Sequence, residues 1–168
     1  MTDMDRNEAL ETLLRSYRGY YNINTETPAE PFAAEATFEL HDEQYFLMKS
    51  AKLSEADAKE FVFFASVDEL TPEVFKTLDE ASWETGMSRV VPKTNHRSSD
   101  VSLIILADRV DEACRGLIRK ANRSKSYKWG FHGYSHYRLI ALDLSTGATI
   151  RNRMGESLEK TISKIFTF

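Results

Sequence analysis

The chain has 168 residues, 42% of them hydrophobic and 29% charged, with a formal net charge of −4. Such totals fit one soluble globular domain around a single core, and they argue against a disordered chain, a membrane-embedded chain or a generally basic nucleic-acid binder. The longest apolar runs, LIILA from Leu103 and LIAL from Leu139, are strand-sized and fall far short of the roughly 20 residues that span a bilayer. The opening MTDMDRNEAL is acidic and has no basic start followed by an apolar core, so it does not read as a signal peptide, and a cytoplasmic protein is expected. The single cysteine, Cys114, excludes an internal disulfide and a thiolate zinc cluster; it sits in an apolar helical pattern that buries it.

Taken in order, residues 5–21 place Leu10, Leu13, Leu14, Tyr17, Tyr20 and Tyr21 on one helical face, which predicts a docking helix over residues 1–21. Residues 22–35, NINTETPAEPFAAE, hold two of the four prolines and read as a connecting loop. Strands are predicted at Ala36 to His41, Tyr45 to Leu53 and Phe61 to Val67. The third, FVFFASV, is apolar on both faces and belongs in the middle of a sheet covered on each side. Leu70, Thr71, Pro72, Glu73 and Phe75 then spell a helix start: an N-cap, a proline in the first turn, an acid for the dipole and an apolar staple. That helix is expected to run to Ser82 or Glu84 and to end near Gly86, with MSRVVPKTNHRSSD as a loop after it.

Val101 to Ala107 is a further buried strand. Asp108 or Asp111 caps the next helix, whose expected buried face is Ala113, Cys114, Leu117, Ile118 and Ala121. Tyr137 to Leu144 is another strand apolar on both faces, turning at Ser145–Gly147 into Ala148 to Asn152 as a hairpin. Leu158, Ile162, Ile165 and Phe166 give a terminal helix. The order α-β-β-β-α-β-α-β-β-α predicts an α/β fold: one domain over 1–168, with a mixed, mostly buried sheet flanked by helices and its core in 36–168.

The most unusual stretch is Arg115 to Arg138, RGLIRKANRSKSYKWGFHGYSHYR, which carries seven Lys/Arg and no Asp or Glu. Cations interleaved with rings suit phosphate pairing with base stacking, so the candidate ligand-binding residues are Arg119, Arg123, Lys125, Tyr127, Lys128, Trp129, His132, His136 and Arg138. A structural account competes with this reading. Cations near a helix C-terminus complement its dipole, and aromatics entering a strand finish the core. His132 and His136 have a metal-like spacing only on a helix; with Gly130 and Gly133 beside them the segment is loop or strand, where four residues span roughly 13 Å and part the two imidazoles. His41, Asp42 and Glu43 read as a solvated turn. Asn95, His96, Arg97 and Asp100 form a second polar cluster, in a loop long enough to close over a pocket.

No GxGxxG, P-loop, GxSxG, HExxH or paired CxxC is present, so no catalytic or metal-binding residue and no cofactor is assigned. The runs YFLMKSAKL, EFVFFASVDELT, VSLIILADRVDEA, KSYKWGFHGYSHYRLIALDLSTG and NRMGESL, from Tyr45 onward, resemble an uncharacterised family of small bacterial cytoplasmic proteins. That resemblance implies one domain and carries no activity with it. By element order alone the chain is also similar to restriction-endonuclease-like folds. Those enzymes need a Glu-x-Lys on a strand where this chain has Glu60, Phe61 and Val62, so the resemblance implies a fold without its usual active site.

The expected function is therefore binding of an anionic ligand, a nucleotide, nucleic acid or phosphorylated metabolite, through the 115–138 surface. One alternative is an enzyme on a small phosphorylated or nucleotide substrate with His96, His132 or His136 as general base. Another is a homodimer built on Tyr127, Trp129 and Phe131. No membrane partner is expected.

Overall fold

The computed structural model describes residues 4–40, 57–91, 96–130 and 133–167, apart from the side chains of residues 39, 40, 57, 58, 96 and 97. The predicted strand Tyr45 to Leu53, the cluster His41–Glu43, and Asn95, Phe131 and His132 lie outside the described residues.

Seven described strands form one mixed sheet: β1 (Asn22–Asn24), β2 (Ala34–Leu40), β3 (Asp57–Leu70), β4 (His96–Val110), β5 (Ser124–Ser126), β6 (Tyr134–Asp143) and β7 (Ala148–Arg151). Their order is β1-β2-β3-β4-β6-β5, with β7 also on β6. β3, β4 and β6 pair in parallel, and every other pairing is antiparallel. The reason is in the connections. Helices α2 (Pro72–Ser88) and α3 (Glu112–Lys120) carry the chain back across the sheet between the parallel strands, whereas a short turn joins β6 to β7.

The three parallel strands are apolar on both faces because both are covered. Phe61, Phe63, Val101, Leu103, Ile105, Tyr137 and Leu139 pack with Phe75 and Leu78 of α2 and Cys114 and Ile118 of α3. On the opposite face, Val62, Phe64, Ile104, Leu106, Ile140 and Leu142 pack with Leu13 and Leu14 of α1 (Arg6–Tyr17) and Leu158 and Ile162 of α4 (Glu156–Ile165). Arg6 fixes α1 at the C-terminal end of the parallel strands, donating to Ser66 at 2.8 Å and pairing with Asp68 at 2.7 Å and with Asp108.

Several local expectations need correction. The 22–35 segment is not a free loop: Asn22–Asn24 pairs with 35–37 as an edge strand, and β2 begins at Ala34. α1 stops at Tyr17, which leaves Tyr20 exposed rather than on the buried face. Thr71 caps α2 as predicted, its Oγ1 accepting from Val74 N–H, but the helix passes through Gly86 to Ser88. That glycine serves packing, not termination, since a Cβ there would overlap the Val101 side chain of β4. Asp111 caps α3 by accepting from Ala113 N–H, and only Cys114 and Ile118 of the expected apolar face are fully buried. Burial pushes the Cys114 thiol up to about 11, which makes it an unreactive core group. Among the described residues no helix is long and apolar enough to cross a membrane.

Candidate functional site

The basic run leaves α3, forms the three-residue edge strand β5, turns through a 3-10 element at Lys128–Gly130 and enters β6. The strands' register sorts its side chains. Ser124 lies opposite His136, Lys125 opposite Ser135 and Ser126 opposite Tyr134. Because alternate residues of β6 face opposite sides, Ser135 and Tyr137 belong to the α2–α3 side and Tyr134, His136 and Arg138 to the α1–α4 side. One contiguous stretch of sequence therefore supplies two separate surfaces.

On the α2–α3 side the candidates are largely spoken for. Arg123 donates to Asp79 of α2 at 2.9 Å and lies 6.0 Å above the Tyr137 ring. Tyr137 is wholly buried and shares a 3.0 Å hydrogen bond with Ser82; burial first, and then the Asp79 carboxylate, push its phenol well above the ordinary range. Tyr127 is buried too, bonded to Ser135 Oγ at 2.9 Å and resting on Met87 Sδ at 3.6 Å. Both rings complete the core, as the structural account of the stretch expects. Lys125 holds its ammonium 5.4 Å from the Tyr127 ring centroid and is exposed.

On the α1–α4 side Arg138 meets two acids. Glu60 and Asp100 stand directly opposite each other on β3 and β4, and Arg138 bridges them, Nη1 to Glu60 at 2.6 Å and Nη2 to Asp100 at 2.9 Å. The remaining acceptor capacity is also used. Glu60 accepts from Tyr21 at 2.5 Å and Ser102 at 3.2 Å, and Asp100 accepts the His136 backbone N–H at 3.1 Å. Burial, followed by the Glu60 charge, raises the Tyr17 and Tyr21 phenols above their ordinary value, so that Tyr21 remains a neutral donor to Glu60 well into the alkaline range. Two buried carboxylates side by side would repel; one guanidinium and three donors make the arrangement stable. Asp100 thus comes from the predicted polar cluster but acts inside the sheet. His136 Nδ1 lies 3.4 Å from Asp100 Oδ1, and its ring stacks on Tyr134. His136 is thereby the one histidine of the general-base alternative with a described acidic neighbour; the side chains of His96 and His132 lie outside the described residues.

At the edge itself the candidates remain open. Lys128 and Trp129 have φ of 45° and 53°, in the left-handed region that L-residues with side chains avoid, and Gly130 follows at 91°. Glycine is required here by that φ; a Cβ would also displace the Tyr134 hydroxyl, the outer end of a half-exposed ring. Trp129 is 94% exposed, and Arg119, Lys125 and Lys128 are exposed as well. Among the described residues these three cations make no ion pair with an acid. The structure therefore gathers Lys125, Lys128, Trp129, Tyr134 and His136 around the β5–β6 edge. Arg123 and Arg138 are set inward as structural ion pairs on opposite sides of the sheet. Sequence reasoning missed Glu60 and Ser102 as partners of Arg138, where an acid and a hydroxyl beside apolar strand residues were the available signal, and Tyr21, which lies in the bend after α1 and gives no such signal.

No curated protein and no solved structure matches the chain. A family model described as "Domain of unknown function (DUF8052)" matches residues 5–164, nearly the whole chain, and it takes in α1, the sheet and the β5–β6 edge. The chain belongs to that family.

Proposed function

We propose that this protein is a binding module for a phosphate-bearing aromatic ligand, a nucleotide or a short single-stranded nucleic acid, which docks on the β5–β6 edge. The observation that carries this reading is Trp129: a large ring, 94% exposed, held in a left-handed backbone directly after the exposed cations Lys125 and Lys128 in the chain. Tryptophan normally buries its area, and strained backbone away from glycine is found where the surrounding structure enforces it, often at ligand sites. A base stacks on the ring while phosphates pair with the two lysines and Arg119; the Tyr134–His136 stack offers a second ring surface on the same edge, on the face opposite Lys125. Arg123 and Arg138 take no direct part, since Arg123 is held by the partly buried Asp79 and Arg138 by the buried Glu60 and Asp100.

Tryptophan fluorescence titrated with a single-stranded oligonucleotide tests the reading, with Trp129→Phe assigning the signal between Trp129 and Trp83. Two or three phosphate contacts predict an affinity that falls with salt at a log–log slope of about −1.4 to −2. The Lys125→Glu, Lys128→Glu double variant should bind at least tenfold more weakly. Wild-type affinity in that variant, or a salt-independent affinity, overturns the proposal.

A further inference from the structure

The apolar stripe of α3 is wider than its contact with the sheet. Cys114 and Ile118 are buried, whereas Leu117, on the same stripe, is 45% exposed. It lines an open groove of about 510 Å³ between α2 and α3, together with the apolar Pro72, Phe75 and Ala121 and the exposed Lys76 and Lys120. Of the two acids of the lining, Glu73 and Asp79, one has a counter-charge and the other sits at a helix start. Glu73 occupies the first turn of α2, where the helix dipole favours an acid, and Asp79 is paired with Arg123 at 2.9 Å. Among the described residues neither Lys76 nor Lys120 is paired with an acid. Among the described residues the groove thus offers a mostly apolar lining with two ammonium groups, neither ion-paired, against the single unpaired carboxylate of Glu73.

We infer that this groove binds a small amphipathic carboxylate, a medium-chain fatty acid in chemical class, its chain along Phe75, Leu117 and Ala121 and its acid group between Lys76 and Lys120. The volume falls within the ~300–1,000 Å³ of small-molecule sites. A protein partner needs on the order of 800 Å² on each side, more than eight lining residues provide. Charge complementarity selects an acid over an alcohol or an amine. The site is separate from the β5–β6 edge, and either can fail without the other.

The experiment uses decanoate below its micellar concentration, with decanol as the neutral control, followed by methyl NMR and thermal unfolding. Decanoate should move the Leu117 and Ala121 methyl signals saturably and raise Tm, because it binds only the folded state. Decanol should bind at least tenfold more weakly. The surface variant Lys76→Glu, Lys120→Glu should weaken decanoate at least tenfold and leave decanol unchanged, and Leu117→Asp, at a half-exposed position, should abolish both. Several results overturn the proposal: equal affinity for decanoate and decanol; no effect of the lysine changes; methyl shifts confined to other parts of the protein; or a dimer in sedimentation that Leu117→Asp dissociates, which would make a second copy the occupant.

Discussion

Arg123 and Arg138 flank the same edge as Lys125 and Lys128, yet the two pairs have opposite fates. Each arginine reaches inward to acids that lie far away in sequence: Asp79 on one side of the sheet, Glu60 and Asp100 on the other. The lysines between them stay at the rim. The difference follows from chemistry as well as position. A guanidinium presents a planar fork that can bridge two carboxylates at once, whereas an ammonium on a flexible stem is more strongly hydrated and is stable in water. A run of cations in sequence is thus a mixture of structural and available charge, and the fold does the sorting.

The comparison breaks most sharply at Arg138. Removing it leaves Glu60 and Asp100 facing each other, buried and without their counter-charge, so Arg138→Met should cost about 3 kcal/mol or more in urea denaturation. Lys125→Glu or Lys128→Glu, at exposed positions, should change stability by less than about 0.5 kcal/mol. Similar losses from the arginine and the lysine variants would show that Arg138 is no more structural than its neighbours.

Alkaline unfolding separates the two sides of the sheet. Tyr17 and Tyr21 are raised on the α1–α4 side and Tyr137 on the α2–α3 side, in each case by burial first and a neighbouring carboxylate second. A tyrosine whose folded pKa exceeds its unfolded value of about 10 keeps its proton longer in the native state. Its contribution is therefore intact below pH ~10 and is lost as pH rises toward the folded value, by up to about 1.4 kcal/mol per pH unit for each such group. Tyr137→Phe should remove up to that much slope between pH 10 and 12, and Tyr21→Phe a second share. Unchanged slopes in urea titrations at those pH values would mean that the rings ionise without unfolding the chain.

Much of this was legible before the fold was known, and the illegible part has a common cause. Thr71 and Pro72 announce the start of α2 locally, and the doubly apolar β3, β4 and β6 announce a covered sheet, because capping and burial leave their marks at the residue concerned. The edge strands were not visible. β1 and β5 have only three residues each and exist because β2 and β6 lie alongside, a contact that no local pattern encodes. Gly86 was misread for the same reason, since its need is the nearness of Val101, not a turn. For the site, the sequence located the exposed residues around Trp129 but assigned Arg123 and Arg138 to the same surface. Their partners Asp79, Glu60 and Asp100 lie far off in the chain, and only the parallel register of β3, β4 and β6 brings the last two under Arg138.

At Trp129 a small change in stability should accompany one of the largest in function. At position 129, glycine adopts the observed left-handed backbone without steric cost, which offsets the extra freedom it gives the unfolded chain; both effects are on the order of 1 kcal/mol. The indole it removes is 94% exposed and contributes almost no buried area. Trp129→Gly should accordingly unfold within about 1 kcal/mol of wild type, while its oligonucleotide affinity falls at least tenfold through loss of the stacking surface. A structural tryptophan would show the reverse, a lower midpoint in urea with binding retained. Measuring both on one variant thus decides whether the fold holds Trp129 outward for a ligand or uses it to support the β5–β6 edge.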